Sequence, residues 1–352
     1  MAYLEGVHLV RGEDEHDDVE ALTGLLGEPV GLDGVLDDLR RRGRRGLAPG
    51  LAVRRALTWD ARDRADRQWW PQGITGSHDA TDAPRADGRR LLLVSWYAKR
   101  GADGSEPGSR LSVVDLATRA YEHVLLVVPG VDDAGGPVLR PLKVHAGGIV
   151  WRGDHVHVAA TARGVLTCRA GDVLRVPDGL ADLLPTHGHR YLLPVRRGYE
   201  ARTDEGVERL RYSFLSLDRS TPEPGLLAGE YGSSKQSRRL VRYALAADGT
   251  FVADSDGAVR PELLDPAGPA RMQGAVWAGG GYHATVSHGP WHPGSLYAGR
   301  PGALRRRRWA APMGPEDLSW SPADDRLWSV SEHPRRRWVF AMARSRGSDA
   351  LG

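Results

Sequence analysis

Two periodicities divide the chain. Between residues 14 and 46 apolar positions recur at three- and four-residue steps; beyond about residue 51 they alternate or gather in short runs. In "DEHDDVEALTGLLG" (14–27), Val19, Leu22, Leu25 and Leu26 share one helical face, and acids crowd the first turn, where the helix dipole favours them. "GLDGVLDDLRRRGRRG" (31–46) repeats the arrangement with Val35, Leu36 and Leu39, its acids early and its arginines late. Residues 1–50 are therefore predicted to be a short helical extension, packed on the main body or serving as a lid.

The remainder, 51–352, predicts strands. Short apolar, β-branched and aromatic runs alternate with Gly, Pro, Asp and Ser. "RRLLLVSWYA" (89–98), "RLSVVDLAT" (110–118) and "AYEHVLLVVPG" (120–130) predict three successive strands, and "AGGIVWRGDHVHVAATARG" (146–164) a hairpin turning at Arg152–Asp154. A faint repeat runs through this region. Five times a small or polar residue leads into an apolar strand: "PQGIT" (71–75), "AGGIVW" (146–151), "YSFLSL" (212–217), "MQGAVW" (272–277) and "PEDLSW" (315–320). The repeats are roughly 45 to 75 residues apart, a spacing that suits four-stranded propeller blades.

The fifth repeat offers three strands, while "LAVRRALTWDA" (51–61) has no neighbour in sequence to pair with. A strand there would complete the last blade and leave no bare sheet edge. The expected fold is all-β: a five-bladed β-propeller closed by an N-terminal strand in its last blade. A six-bladed ring, with extra strands in 176–212, and a pair of β-sandwiches are the alternatives.

"WWPQGITGSHDA", "HAGGIVWRGDHVHVA", "YSFLSLDRS", "MQGAVW" and "GPEDLSW" resemble a group of actinomycete β-propeller proteins, many of them secreted and without assigned activity. The resemblance spans roughly 69–343. It implies the propeller fold and assigns no catalytic residue. This chain departs from the group at its start: "MAYLEGVHLVRGEDEHDD" has no basic stretch followed by an apolar one, so a cytoplasmic location is expected.

Composition narrows the chemistry. Mean hydropathy is −0.41 and no apolar run reaches membrane-spanning length, so no membrane partner is expected. Net charge is +3, with 48 basic residues mixed among 45 acidic ones; despite "RRRGRR" (40–45) and "RRRR" (305–308), this predicts no nucleic-acid partner. The single cysteine, Cys168, excludes an internal disulfide and a cysteine-rich metal site and reads as a packed thiol. No phosphate-binding glycine loop, HExxH helix or GxSxG elbow is present. The histidines of "HVH" (155–157) share one strand face; this could hold a metal, but a polar outer face explains it as well.

In a propeller the starts of the inner strands converge at one mouth of the central channel. That places Gln72, His145, Ser213, Gln273, Glu316 and Asp317 there. The second-strand ends would add His78, Ser95, Glu230, Ser287, His288 and Glu332. The expected acid–base groups are Glu316, His145, Glu230 and Glu332. Gln72 and Gln273 would orient a carbonyl, and Trp69, Trp70, Trp96, Tyr97, Trp151, Trp277 and Trp291 would supply apolar walls. Alternation along a strand allows only one of Glu316 and Asp317 to face the channel.

Three functions follow. The first is a cofactor-independent enzyme that isomerises, cyclises or otherwise tailors an apolar small molecule, as in natural-product biosynthesis. The second is a lactonase-like hydrolase with Ca2+ held by Glu, Asp and Gln oxygens, although the chain has no Asn, a frequent ligand of such ions. The third is a binding or scaffold propeller without catalysis.

Overall fold

The alternating runs beyond residue 51 fold into antiparallel meanders arranged about a common axis. The computed structural model describes residues 3–82 and 87–344. The first meander pairs Trp69–Gly76, Leu91–Ala98, Ser109–Asp115 and Ala120–Val131 in chain order. The second pairs Ile149–Arg152, His155–Ala159, Gly164–Arg169 and the long Tyr191–Thr203. The third runs Phe214–Asp218, Gly225–Gly229, Leu240–Ala244 and Glu262–Asp265. The fourth runs Met272–Ala278, Gly281–Val286, Gly294–Gly299 and Arg305–Ala311. In the fifth, Pro315–Ser321, Arg326–Ser331 and Trp338–Ala343 are completed by Val53–Thr58, which pairs with Trp338–Ala343. The innermost strands touch in sequence, and Pro315–Ser321 returns to Trp69–Gly76. The molecule is mostly β and propeller-like.

Residues 176–212 add no further meander. Their one long strand, Tyr191–Thr203, starts parallel to Ala120–Val131 and then becomes the outer strand of the second meander.

The first fifty residues are more than a helical extension. Two helices are present, His16–Leu26 and Gly31–Leu36, seated on Val19, Leu22, Leu26, Leu32, Val35 and Leu36. Strands accompany them. Val7–Asp14 adds to the edge of Tyr191–Thr203, Arg41–Arg42 pairs with Ala120–Val131, and Arg44–Arg45 pairs with Val53–Thr58. Val7 and Leu9 alternate inward while their neighbours face out. That period of two is too short to stand out beside the helical pattern that follows it.

At the centre, inner strands meet backbone to backbone. A Cβ on Gly148 would lie 1.9 Å from the amide nitrogen of Leu215, and one on Gly274 would lie 2.6 Å from the Cα of Asp317. Asp317 also ties strands together: its Oδ2 accepts the N–H of Ile74 at 3.2 Å, and the amides of Leu318 and Ile149 also bond its carboxyl. Overpacking of a filled interior costs about 1–3 kcal/mol. Gly148→Ala should therefore lower stability by at least that much, read as a shift in the denaturant midpoint at unchanged slope.

Candidate functional site

Three of the five inner strands carry one extra residue near their start. The register slips between Pro71 and Ile74, between Met272 and Gly274, and between Pro315 and Leu318. Such bulges re-aim side chains and are common beside active sites. Here they present Gln72, Gln273 and Glu316 at equivalent places. Glu316 and Asp317 are both buried, Glu316 toward Gln273 and Asp317 toward the amides of the neighbouring inner strands. The Glu316 carbonyl is pinned by the hydroxyls of Thr285 at 2.7 Å and Ser329 at 3.2 Å. Ser95 supports the first bulge, accepting the Gly73 N–H at 2.9 Å and donating to the Ala146 carbonyl at 2.7 Å.

Two carboxyls and two amides meet at this mouth. Gln273 Nε2 donates to Glu316 Oε1 at 3.4 Å, and Gln72 Nε2 donates to Glu332 Oε2 at 3.2 Å. Burial pushes Glu316 well above the ordinary carboxylate range, and the nearby Glu332 and Asp317 push it the same way. Burial raises Glu332 too, but the Gln72 amide, Lys99 and Arg337 oppose the rise. Glu332 is thus the first of the two to ionise, and Glu316 holds its proton longer. A protonated carboxyl beside an ionised one is an acid and a base in one site.

The rim is aromatic and basic. Tyr97 lies over His145 with ring centres 4.3 Å apart. Burial and the two glutamates raise the Tyr97 phenol, which stays protonated as a donor. His145 is exposed at the edge, and its proton affinity is lowered by the protein around it and by Lys99. Lys99 sits 3.3 Å above the Trp70 ring, and His333 meets that ring edge-on at 5.9 Å. Trp291, exposed on a loop of the fourth meander, has the Arg336 guanidinium 4.2 Å from its ring centre. Ser213 lies at the start of the third meander, its N–H bonded to Gly229. Lys99, His333 and Arg337 were not legible as site residues: Lys99 and His333 lie just past strands, and Arg337 ends a run of three arginines just before one, places where a cation reads as solvated surface.

Other expected residues are elsewhere or otherwise engaged. Glu230 is fully enclosed and bound by Arg239 through Nε at 3.0 Å and Nη2 at 2.9 Å, with the Arg211 and Arg239 amides also donating to it. Burial would raise its pKa, but Arg239 prevails and holds it low, so it is an ion-pair anchor and not a proton donor. Trp96 is buried and bonds Ser112 at 2.8 Å; Trp69 is covered by Arg110 at 4.2 Å; Trp151 bonds the Gly153 carbonyl at 2.9 Å; Trp277 packs on Tyr282 at 4.9 Å. These four tryptophans are packing residues. Ser287 is buried, and His288 bonds Ser295 at 2.9 Å. Glu230→Gln leaves a buried guanidinium without its counter-charge, a loss of about 3–5 kcal/mol. The expected result is a lower denaturation midpoint with turnover per folded molecule unchanged.

His78 lies past the opposite end of the first inner strand from Gln72, because the chain runs from Gly76 straight into a helical turn, Ser77–Ala80. Its Nε2 lies 2.6 Å from Ser319 Oγ, which donates to buried Asp79 at 2.6 Å; Arg219 holds Asp79 at 3.0 Å. A cavity of about 630 Å³ opens beside it, walled by Trp320, Pro322 and Arg90.

The "HVH" pair is not a polar outer face. His157 is buried, bonding Thr167 at 2.8 Å and the Gly249 carbonyl at 2.8 Å, while His155 reaches the Asp248 carbonyl at 3.0 Å. Together they clip the 246–250 turn. Cys168 is buried, as its packed-thiol reading requires. Among the described residues, no three His, Cys, Asp or Glu side chains are grouped to hold a metal, and no helix is long and apolar enough to cross a membrane.

No family model matches the chain. Over 217 aligned positions that take in 57% of the chain, it is 28% identical to phosphoribosylformylglycinamidine synthase subunit PurL of Mycolicibacterium vanbaalenii. The chain spans 28% of that protein's length. Among solved structures, a gluconolactonase from Xanthomonas campestris is similar over 87% of this chain and 90% of its own, at 14% identity and a TM-score of 0.36. Both likenesses are too slight to carry an activity across, and the propeller-like description comes from the strand pairing itself.

Proposed function

We propose that the five meanders are the blades of one closed propeller, and that its mouth is the acid–base site of an enzyme acting on a small molecule. The observation that carries this reading is the Glu316–Glu332 pair, a buried and a half-buried carboxyl raised to different degrees, each with an amide donor beside it. Glu316 would protonate a carbonyl or leaving oxygen and Glu332 would accept a proton. Gln72, Gln273 and the Tyr97 phenol would orient the reacting oxygen. Positioning by a rigid ring and general acid–base help suffice for isomerisation or ring formation of a neutral substrate without a cofactor. Trp70 and Tyr97 give its apolar part a flat surface.

A lactonase-like hydrolysis is the second reading, and the donor set favours it in one respect. Glu316, Glu332, Gln72 and Gln273 offer only oxygen ligands, the type Ca2+ prefers, though fewer than its usual six to eight. Bound there, the ion would polarise a carbonyl oxygen.

Wild-type protein and Glu316→Gln, each incubated with a metabolite extract, separate these readings by mass spectrometry. A product isobaric with a consumed compound supports isomerisation or cyclisation. A gain of one water supports hydrolysis, and loss of that activity in chelator with recovery in calcium supports the metal-assisted version. A compound that co-purifies unchanged with both proteins would overturn the enzyme reading in favour of a binding propeller.

A further inference from the structure

Six arginines beside the fifth meander have no carboxylate within ion-pairing distance among the described residues: Arg42, Arg44, Arg45, Arg54, Arg55 and Arg119. Several other surface arginines are paired, such as Arg41 with Asp60 at 3.5 Å, Arg90 with Asp324 at 2.7 Å and Arg260 with Asp256 at 2.6 Å; what sets the six apart is that they gather on one face. The six line two adjoining hollows, of about 450 and 400 Å³, that share Arg45 and Arg119. Arg54 and Arg55 reach only backbone carbonyls, those of Leu51, Val53 and Leu116. Partial burial, then Arg90 and Arg45, lower the proton affinity of Arg55, and Asp324 offsets them only in part, as expected where cations crowd.

Apolar side chains project from the same surface. Leu47, in the wall of the second hollow, is 98% exposed; Leu51 is 63% and Trp309 61% exposed. They are contiguous with the arginines: the Leu51 amide donates to the Trp309 carbonyl at 2.8 Å, and Arg54 Nη1 donates to the Leu51 carbonyl at 3.2 Å. The backbone holds Trp309 outward. Arg305–Ala311 slips register between the pairs Gly294–Ala311 and Leu296–Arg307, and within that bulge Trp309 has φ +56°. This left-handed conformation is disfavoured for a bulky residue, and here it serves only to present an indole to solvent.

Charge and apolar protrusion together select the partner. A phosphodiester backbone would neutralise the arginines and leave Leu47 and Leu51 in water. An anionic leaflet neutralises them at its headgroups and takes aliphatic and indole side chains just beneath. We propose that this face docks peripherally on anionic lipid bilayers, with Arg42, Arg44, Arg45, Arg54 and Arg119 at the headgroups and Leu47, Leu51 and Trp309 inserted below them. No spanning segment is needed.

The test is co-sedimentation of the full chain with phosphatidylcholine vesicles, with and without phosphatidylglycerol. The expected result is at least about a tenfold preference for the anionic vesicles, lost at high salt. Arg44→Glu/Arg45→Glu and Leu47→Ser/Trp309→Ser should each lose about tenfold in binding at an unchanged melting temperature, since all four side chains are exposed. Equal partitioning onto both vesicle types overturns the proposal. So does anionic-vesicle binding that is indifferent to Leu47→Ser/Trp309→Ser while the protein retards a DNA duplex, which would make the partner a phosphate polyanion and not a bilayer.

Discussion

Glu316→Gln is expected to lower turnover by about 10²–10⁴-fold, the usual contribution of a general acid or base, and at the same time to raise the melting temperature in alkaline buffer. The activity loss follows from the site: glutamine keeps the shape of the side chain and can still meet Gln273, but it has no proton to give. The stability gain follows from linkage. Burial raises the Glu316 pKa in the folded protein above its unfolded value. The folded state therefore binds more protons than the unfolded one, and stability falls as pH rises from the unfolded pKa through the folded one. Wild type carries this penalty near pH 8 and escapes it near pH 4; the neutral variant never carries it. Thermal scans at the two pH values should show the variant ahead of wild type only at the higher one. The same two carboxyls predict a bell-shaped activity profile, limited on the acid side by Glu332 and on the alkaline side by the Glu316 proton. A variant that is inactive at every pH yet gains nothing at pH 8 would mean that the Glu316 proton is not held as described.

Asp63→Asn is expected to destabilise the fold by about 3–5 kcal/mol, the range for removing one member of a buried charge cluster. Asp63 lies on the short helix Ala61–Ala65, between the strand that completes the fifth meander and the first strand of the first. Its carboxylate takes a hydrogen bond from Tyr121 at 2.6 Å and contacts Arg110 at 3.1 Å and His123 at 2.9 Å. Its backbone carbonyl accepts from Arg337 at 2.7 Å, and Arg337 in turn bonds the Glu332 carbonyl at 2.7 Å. Burial alone would raise the acid, but His123 and Arg110 prevail and hold it far below the ordinary carboxylate range. Its stabilisation is therefore present above the unfolded carboxylate pKa and lost as pH falls toward the folded one. Desolvation and Arg110 lower His123 to about 3, so the imidazole is neutral at physiological pH and the negative charge of Asp63 answers chiefly to Arg110. Denaturant titration of Asp63→Asn at neutral pH measures the loss. A drop below about 1 kcal/mol would show that the cluster reorganises around the amide without cost.

Strand order was largely legible from the chain, because each inner strand begins with the same small-then-apolar transition and because 51–61 had no local partner. The pairing of Val53–Thr58 with Trp338–Ala343 follows that reasoning. Gln72, Gln273, Glu316 and Glu332 were legible as a convergent set for the same reason. What repeat logic cannot supply is the partner of each side chain. Glu230 occupies the same strand end as Glu332, but Arg239 lies nine residues later and closes on it, whereas Arg337 turns its guanidinium toward the Asp63 carbonyl and leaves the Glu332 carboxyl to Gln72 and, at 3.6 Å, to His333. Bulges are equally silent: one extra residue reverses which neighbour faces inward, and only a nearby glycine hints at it. The basic face was hidden by averaging, since acids elsewhere in the chain offset arginines that have none beside them.

The closure of the fifth meander bears on how the protein comes into being. Thr58 Oγ1 bonds the Arg337 carbonyl across 279 positions of sequence. On the ribosome, Val53–Thr58 emerges long before its principal neighbour, Trp338–Ala343, so until then that strand has one side without a mate. A bare β edge invites pairing with other chains, and charged side chains on it are the usual deterrent. Arg54 and Arg55, both exposed on this strand, guard it through that interval. Completion of the fifth meander is then a late, long-range event of the kind that slows folding. A nascent chain would hold most of its meanders, and with the fifth the hairpin that sets Glu316 beside Glu332, before the first and fifth meanders meet and bring Gln72 to Glu332.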